Sequence, residues 1–157
     1  MCFSPEADFV GGVLVGGVGA ATLAQVRHKR EIPLAVLPLA FACHEIAEGF
    51  VWLGQRGTIA KSGGDVALYA YLFFAWALLP VLIPIAVRLV EPDPWRRRLM
   101  AVLVVLGSAV GVYLLWVVAA HSISAHVAGN SLDYRGVGNI GDTVTVLYLS
   151  LIHISEP

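Results

Sequence analysis

Charge is scarce in this chain. Of its 157 residues, Asp, Glu, Lys and Arg make up 13%, against roughly 25% in a soluble domain. That leaves too few polar side chains to wrap a fold that faces water on all sides. Cysteine is scarce too, and two thiols cannot build a disulfide framework. Cys2 falls at a membrane surface and Cys43 near mid-bilayer, so the two are not expected to pair. No GxSxG, CxxC or ATP-binding pattern occurs. The stretch Gly136–Gly141, GVGNIG, matches GxGxxG in letters only. Nothing before it reads as a strand, and no βαβ unit surrounds it, so nucleotide binding is not expected. No basic patch stands apart from the helix flanks, so nucleic acid is not expected as a partner.

What the chain has in quantity is apolar length. Hydrophobic residues make up 58% and the mean hydropathy is +0.79. The charges cluster at Arg27–Glu31, Arg56–Asp65, Arg88–Arg98 and Asp133–Asp142. Between the clusters lie stretches of roughly 18 to 25 residues, enough to cross a ~30 Å hydrocarbon core as helix. The pattern predicts an all-α, polytopic transmembrane helix bundle whose partner is the lipid bilayer. The spans run from about Phe9 to Val26, Ile32 to Leu53, Val66 to Val87 and Leu99 to Ala120, with a fifth starting at Thr143 and cut short. Residues 1–148 read as one transmembrane domain. The closing LSLIHISEP, Leu149–Pro157, resembles a translated sequencing adapter and is set aside as read-through, so His153 and Glu156 carry no function. The natural protein is expected to be longer, and this chain a truncated fragment of it.

Ser4-Pro5-Glu6 is a helix start: a capping hydroxyl, a proline at the first helical position and an acid at the positive end of the dipole. A secretory signal would need a basic leader, whereas this one carries Glu6 and Asp8. Gly12 and Gly16 form one GxxxG, and Gly107 and Gly111 a second, faces suited to close helix packing or to self-association. Pro80 and Pro84 are expected to kink the third span and free the carbonyls of Trp76 and Pro80. Lysines and arginines number seven in the first and third loops against three in the second and fourth. This predicts a multi-pass protein of a bacterial inner membrane, with its N-terminus outside. Trp95 and Trp52 suit interfacial anchor positions.

One polar constellation interrupts the apolar spans, FACHEIAEGFVWLG from Phe41 to Gly54. His44 and Glu48 lie about 40° apart on a helix, one turn removed on one face, in a stripe with Leu37, Phe41, Trp52 and Gln55. Glu45 lies at its edge. A carboxylate at bilayer depth costs several kcal/mol unless paired or neutralised. The stripe is therefore expected to face other helices or a water-filled cavity. Three readings follow. HEIAE is one residue from the HExxH of zinc hydrolases, so His44 and Glu48, with His121 as third ligand, would hold a metal while Glu45 activates its water. Alternatively, an outward-facing pocket centred on Glu48, with His44, Trp52, Asp8 and His121 at similar depth, binds a proton, a cation or a small ligand. Third, Glu48 is purely structural and fixes helix register. His121 and His126 sit at or beyond a helix end, where a solvated histidine needs no special role. No cofactor is expected from the motifs, zinc or another divalent ion at HExxE excepted, and the chain reads as non-enzymatic more readily than as an enzyme.

MCFSPEADF at the N-terminus resembles the MCFSxxASF opening of a family of uncharacterised bacterial integral membrane proteins. The likeness continues in the second span, where Glu48, Gly49, Val51 and Trp52 match an EGxVW core, and covers about the first 90 residues. The resemblance implies about seven helices and brings no established activity. Relatives tend to carry glutamine where this chain has His44 and Glu45, which shifts the weight of the constellation to Glu48.

Overall fold

A computed structural model of the chain describes residues 4–129 and 131–135. Helix α1, Pro5–Ala24, begins as its sequence dictates. Ser4 is extended, and its hydroxyl oxygen accepts the Ala7 N–H at 3.2 Å. Pro5 takes the first position, where no donor is needed. After α1, the Glu31 carboxylate accepts the backbone N–H of Arg27 at 3.0 Å and of His28 at 3.2 Å. These bonds tie the basic loop into a short 3₁₀ turn, Lys29–Glu31, that leads into α2, Ile32–Gln55.

The third span is continuous from Lys61 to Val90 but not uniform. It comprises α3, Lys61–Leu72, a π-helical stretch, Phe73–Leu78, and α4, Leu79–Val90. Pro80 has no N–H to give the carbonyl four residues back, and the ladder adjusts by widening ahead of it. The freed carbonyls meet the glycines of α5, Pro94–Ala120. A methyl group on Gly107 would collide with the Pro80 carbonyl. One on Gly111 would lie 3.3 Å from the Ala77 oxygen and 3.4 Å from that of Trp76. The other GxxxG faces α2. Gly12 abuts Ile46, Ala42 and Glu45, and Gly16 meets Ala42. Both small-residue faces are thus in contact within the chain.

Four helices are long and apolar enough to cross a membrane: Pro5–Ala24, Lys29–Gln55, Lys61–Val90 and Pro94–Ala120. Capping sets their ends more than hydropathy does, so α1 starts four residues before the expected Phe9 and α5 five before Leu99. Val10, Val13, Leu14 and Val18 on α1, and Val102, Val105, Val112 and Trp116 on α5, are exposed, an apolar perimeter suited to lipid. Trp95 is exposed at a helix start, as an anchor would be. Trp52 is not an anchor. It is buried in the bundle with the Arg56 guanidinium 5.4 Å from its ring centre. The stripe on α2 also departs from expectation, because Phe41 and Gln55 point outward while His44, Glu48 and Trp52 turn inward. The neighbours of α2 do not flank it evenly along its length.

The segment after α5, where nothing in the sequence reads as a strand, forms a β-hairpin. Strands β1, Ser124–Ala128, and β2, Ser131–Arg135, are antiparallel, with Ala125 opposite Tyr134 and His126 opposite Asp133. Gly129 has a φ of +64°, the left-handed geometry that the tight turn requires. Ile123 and Ala125 are buried against Val51, Ala67, Leu68 and Leu72, so the hairpin folds back over the ends of α2 and α3. A strand does therefore precede GVGNIG, but it belongs to a hairpin and not to a βαβ unit. The fifth span expected at Thr143, the tail Leu149–Pro157 and Cys2 lie outside the described residues.

Two outcomes follow from the fold. Gly107→Leu drives a side chain into the Pro80 carbonyl, and overpacking of this kind destabilises by about 1 to 3 kcal/mol. Gly17→Leu, where the surroundings are open, should leave the thermal unfolding midpoint in detergent unchanged. At the start of α5, Asp93 accepts the N–H of Trp95 at 2.7 Å and of Arg96 at 3.0 Å. These backbone hydrogen bonds hold its carboxyl below the usual carboxylate range. A lowered folded-state pKa means that the cap stabilises above the unfolded value and is lost as pH falls through the folded one. Amide protection at Trp95 and Arg96, measured relative to the intrinsic exchange rate at each pH, should fall on acidification, and Asp93→Asn should remove that dependence.

Candidate functional site

The polar site grows from the antiparallel seam between α1 and α2. The buried face of α1 carries Pro5, Asp8, Gly12 and Gly19. Opposite them lie Gly49, Glu45, Ala42 and Leu39 in reverse order, because the helices run in opposite directions. A methyl group on Gly49 would stand 2.9 Å from the Phe9 ring, and on Gly19 2.8 Å from the Leu39 side chain. Phe9 also meets Phe50 edge-on at 5.2 Å. The glycines therefore bring the backbones close, and Asp8 is held against the polar turn of α2.

Asp8 and Glu48 are each 2% exposed, the two acids buried among the described residues. The charges of Glu48 and Glu45 both act on the Asp8 carboxylate. The Asp8 Oδ2 atom is buried with no hydrogen-bond partner among the described residues. On α2, one donor atom from each of His44, Glu45 and Glu48 lies within 4.8 Å of the other two. His44 Nδ1 stands 3.5 Å from Glu45 Oε1, close enough for ionic attraction but too long for a well-formed hydrogen bond. The side chains of Glu45 and His44 are 32% and 15% exposed. Accessibility thus falls stepwise from Glu45 through His44 to Glu48.

Two tyrosines pack against the cluster. The Tyr71 ring, from α3, lies 4.4 Å from the His44 imidazole, and Tyr134, from β2, stacks on Tyr71 at 5.1 Å. The Tyr134 hydroxyl donates to Glu48 Oε1 at 3.3 Å. Neither tyrosine is identifiable in the sequence. Tyr71 sits in an ordinary apolar helix, and Tyr134 lies 86 positions from Glu48 in a segment with no helical or motif signal.

His121 does not join the cluster of donor atoms. It ends α5, exposed, with Nδ1 donating to the Val117 carbonyl at 3.1 Å and its ring edge-on to Trp116. His126 is exposed on β1, its Nε2 3.1 Å from the Ser124 hydroxyl. Glu45 therefore occupies the place that the sequence suggested for His121. That change weakens a hydrolase reading of HExxE, because the same Glu45 was to activate water and cannot also serve as a ligand. Trp52 is buried beside Glu48 in the helix, its indole N–H without a hydrogen-bond partner among the described residues. Cys43 is exposed.

An apolar groove of about 420 Å³, between the π-helical third span and α5, is lined by Phe73, Leu82, Gly111 and Leu115 among others. It has no titratable side chain and is separate from the cluster.

Helical spans with an apolar perimeter and an acid-rich turn buried between two of them define a polytopic helical membrane protein. The chain belongs to a family of unknown function, DUF6629, whose model matches residues 1–152. No curated protein and no solved structure matches it.

Tyr134→Phe removes one donor from Glu48 and should loosen the hairpin by about 1 kcal/mol. Faster amide exchange across β1 and β2, with that of α5 unchanged, would register it.

Proposed function

We propose that this protein is a non-enzymatic membrane bundle whose outward-facing polar pocket, centred on Glu48, binds a cation, either a proton or a metal ion. The observation that carries the reading is the burial of two acids from different helices, Asp8 and Glu48, each 2% exposed, at one seam. Carboxylates withdrawn from water within a membrane helix are costly to keep ionised, and a bound cation offsets that cost. A purely structural role would be served as well by a neutral amide, with no second acid placed opposite.

The topology supports the sidedness. Seven lysines and arginines lie around the α1–α2 and α4–α5 connections, against three elsewhere. The seven include Arg88 in the last turn of α4 and Arg96, Arg97 and Arg98 at the start of α5. This bias favours the cytoplasmic side of a plasma membrane for those connections. The start of α1, the end of α2 and the hairpin then lie outside. Glu48 is seven residues from the end of α2, about 10 Å along the helix. The hairpin leaves Ser124, His126 and Arg135 exposed and carries Tyr134, whose hydroxyl donates to Glu48. Entry then runs past Glu45 and His44, the more exposed members.

A ligand that binds the folded state alone stabilises it by about 2.7 kcal/mol at a hundred times its dissociation constant. The unfolding midpoint of the protein in detergent should therefore respond to pH or to added cations, and Glu48→Gln should flatten that response while the helical content stays intact. If Glu48→Gln and wild type give superimposable midpoints across the whole pH and cation series, the pocket reading falls.

A further inference from the structure

We infer that His44, Glu45, Glu48 and Asp8 form a binding site for a divalent first-row transition-metal ion, bridging α1 and α2. This deepens the cation-pocket reading and rests on it.

The geometry is near what such an ion needs. Four donors at ~2.0 to 2.2 Å around a tetrahedral ion stand about 3.3 to 3.6 Å apart. The donor atoms of His44, Glu45 and Glu48 already lie within 4.8 Å of one another. The three side chains share one helical turn, and a bound ion would draw their donor atoms about an ångström closer together. The independent pointer to a ligand is Asp8. It comes from the facing helix, is 2% exposed, and keeps Oδ2 buried with no hydrogen-bond partner among the described residues. It sits on the face of α1 that holds Gly12, whose neighbours include Glu45, and the charges of Glu48 and Glu45 both reach it. His44 Nδ1 is a second buried donor atom without a hydrogen bond.

The donor set selects the ion. An imidazole with carboxylates suits zinc, manganese or iron, whereas the absence of thiolate among the four disfavours copper(I). Calcium takes six to eight oxygen ligands in a roomier shell than one helical turn and one facing acid supply. Charge points the same way. A divalent ion would balance the acidic groups that Asp8, Glu45 and Glu48 contribute and link the two helices.

The test uses the full chain, purified in detergent with its affinity tag removed, and Zn²⁺ titrated against a chromophoric chelator. Wild type should take up one Zn²⁺ per chain. His44→Gln, Glu45→Gln, Glu48→Gln and Asp8→Asn should each weaken binding by more than about tenfold. Glu45→Gln, at a partly exposed position, guards against loss through misfolding. Co²⁺ in place of Zn²⁺ should give visible ligand-field bands without thiolate charge transfer. Replacing His121 and His126 together with alanine should change nothing. Zn²⁺ affinity that is equal in wild type and the four variants, or that vanishes with His121 and His126, overturns the site. Displacement by equimolar Ca²⁺ overturns it as well, by showing a plain acidic oxygen site. The two readings separate cleanly. No Zn²⁺ uptake together with a pH-dependent midpoint that Glu48→Gln abolishes removes the metal and keeps a proton pocket.

Discussion

The close approach of α1 and α2 is the constraint on which the site depends. In lipid, apolar side chains gain nothing by leaving one hydrocarbon surrounding for another, so helices associate where their backbones pack closely. Gly12, Gly19 and Gly49 supply that closeness, each at a point where a methyl group would strike the opposite helix or its side chains. Asp8 lies one turn from Gly12, and Glu48 immediately precedes Gly49. The contacts that draw the helices together thus also drive two acids toward one another, out of reach of water. A wider seam would let both hydrate.

The same principle operates at the other end of the chain with different chemistry. Pro80 and Pro84 leave carbonyl oxygens that lipid cannot solvate. The glycines of α5 come up against those oxygens, and the π-helical stretch before Pro80 takes up the misfit in the ladder. Prolines in one helix and glycines in another therefore act as one device, although some thirty residues separate them. Between the two seams, the hairpin seals the ends of α2 and α3. It brings Tyr134 to Glu48 and stacks it on Tyr71, so that two aromatic rings pack beside the polar turn of α2.

In the family resemblance, the opening MCFSPEADF and the later EGxVW read as two separate signatures. In the folded chain they touch, for Phe9 packs on Gly49 and Asp8 lies opposite the turn that carries Glu48. The contact joins the two stretches through a glycine with an acid beside it on each helix. His44 and Glu45 add to it an imidazole and a third carboxylate, the groups that give the cluster its metal-like donor set.

The membrane class, four spans, the Ser4 start of α1 and the candidacy of Glu48 were all legible in the sequence. Each rests on local properties: apolar length, capping chemistry, and the cost of an acid at bilayer depth. Span ends were less legible, because caps such as Asp93 lie outside the hydropathy peak, and the hairpin was invisible, because its strands are short and their pairing is not periodic. Tertiary structure alone decided that Glu45 and not His121 completes the donor cluster, that Trp52 is buried, and that Tyr71 and Tyr134 pack beside His44 and Glu48. All of these depend on which face of one helix meets which face of another. Periodicity along a single chain places residues on a face, but the partner of that face is set by packing between distant segments, where no local signal reaches.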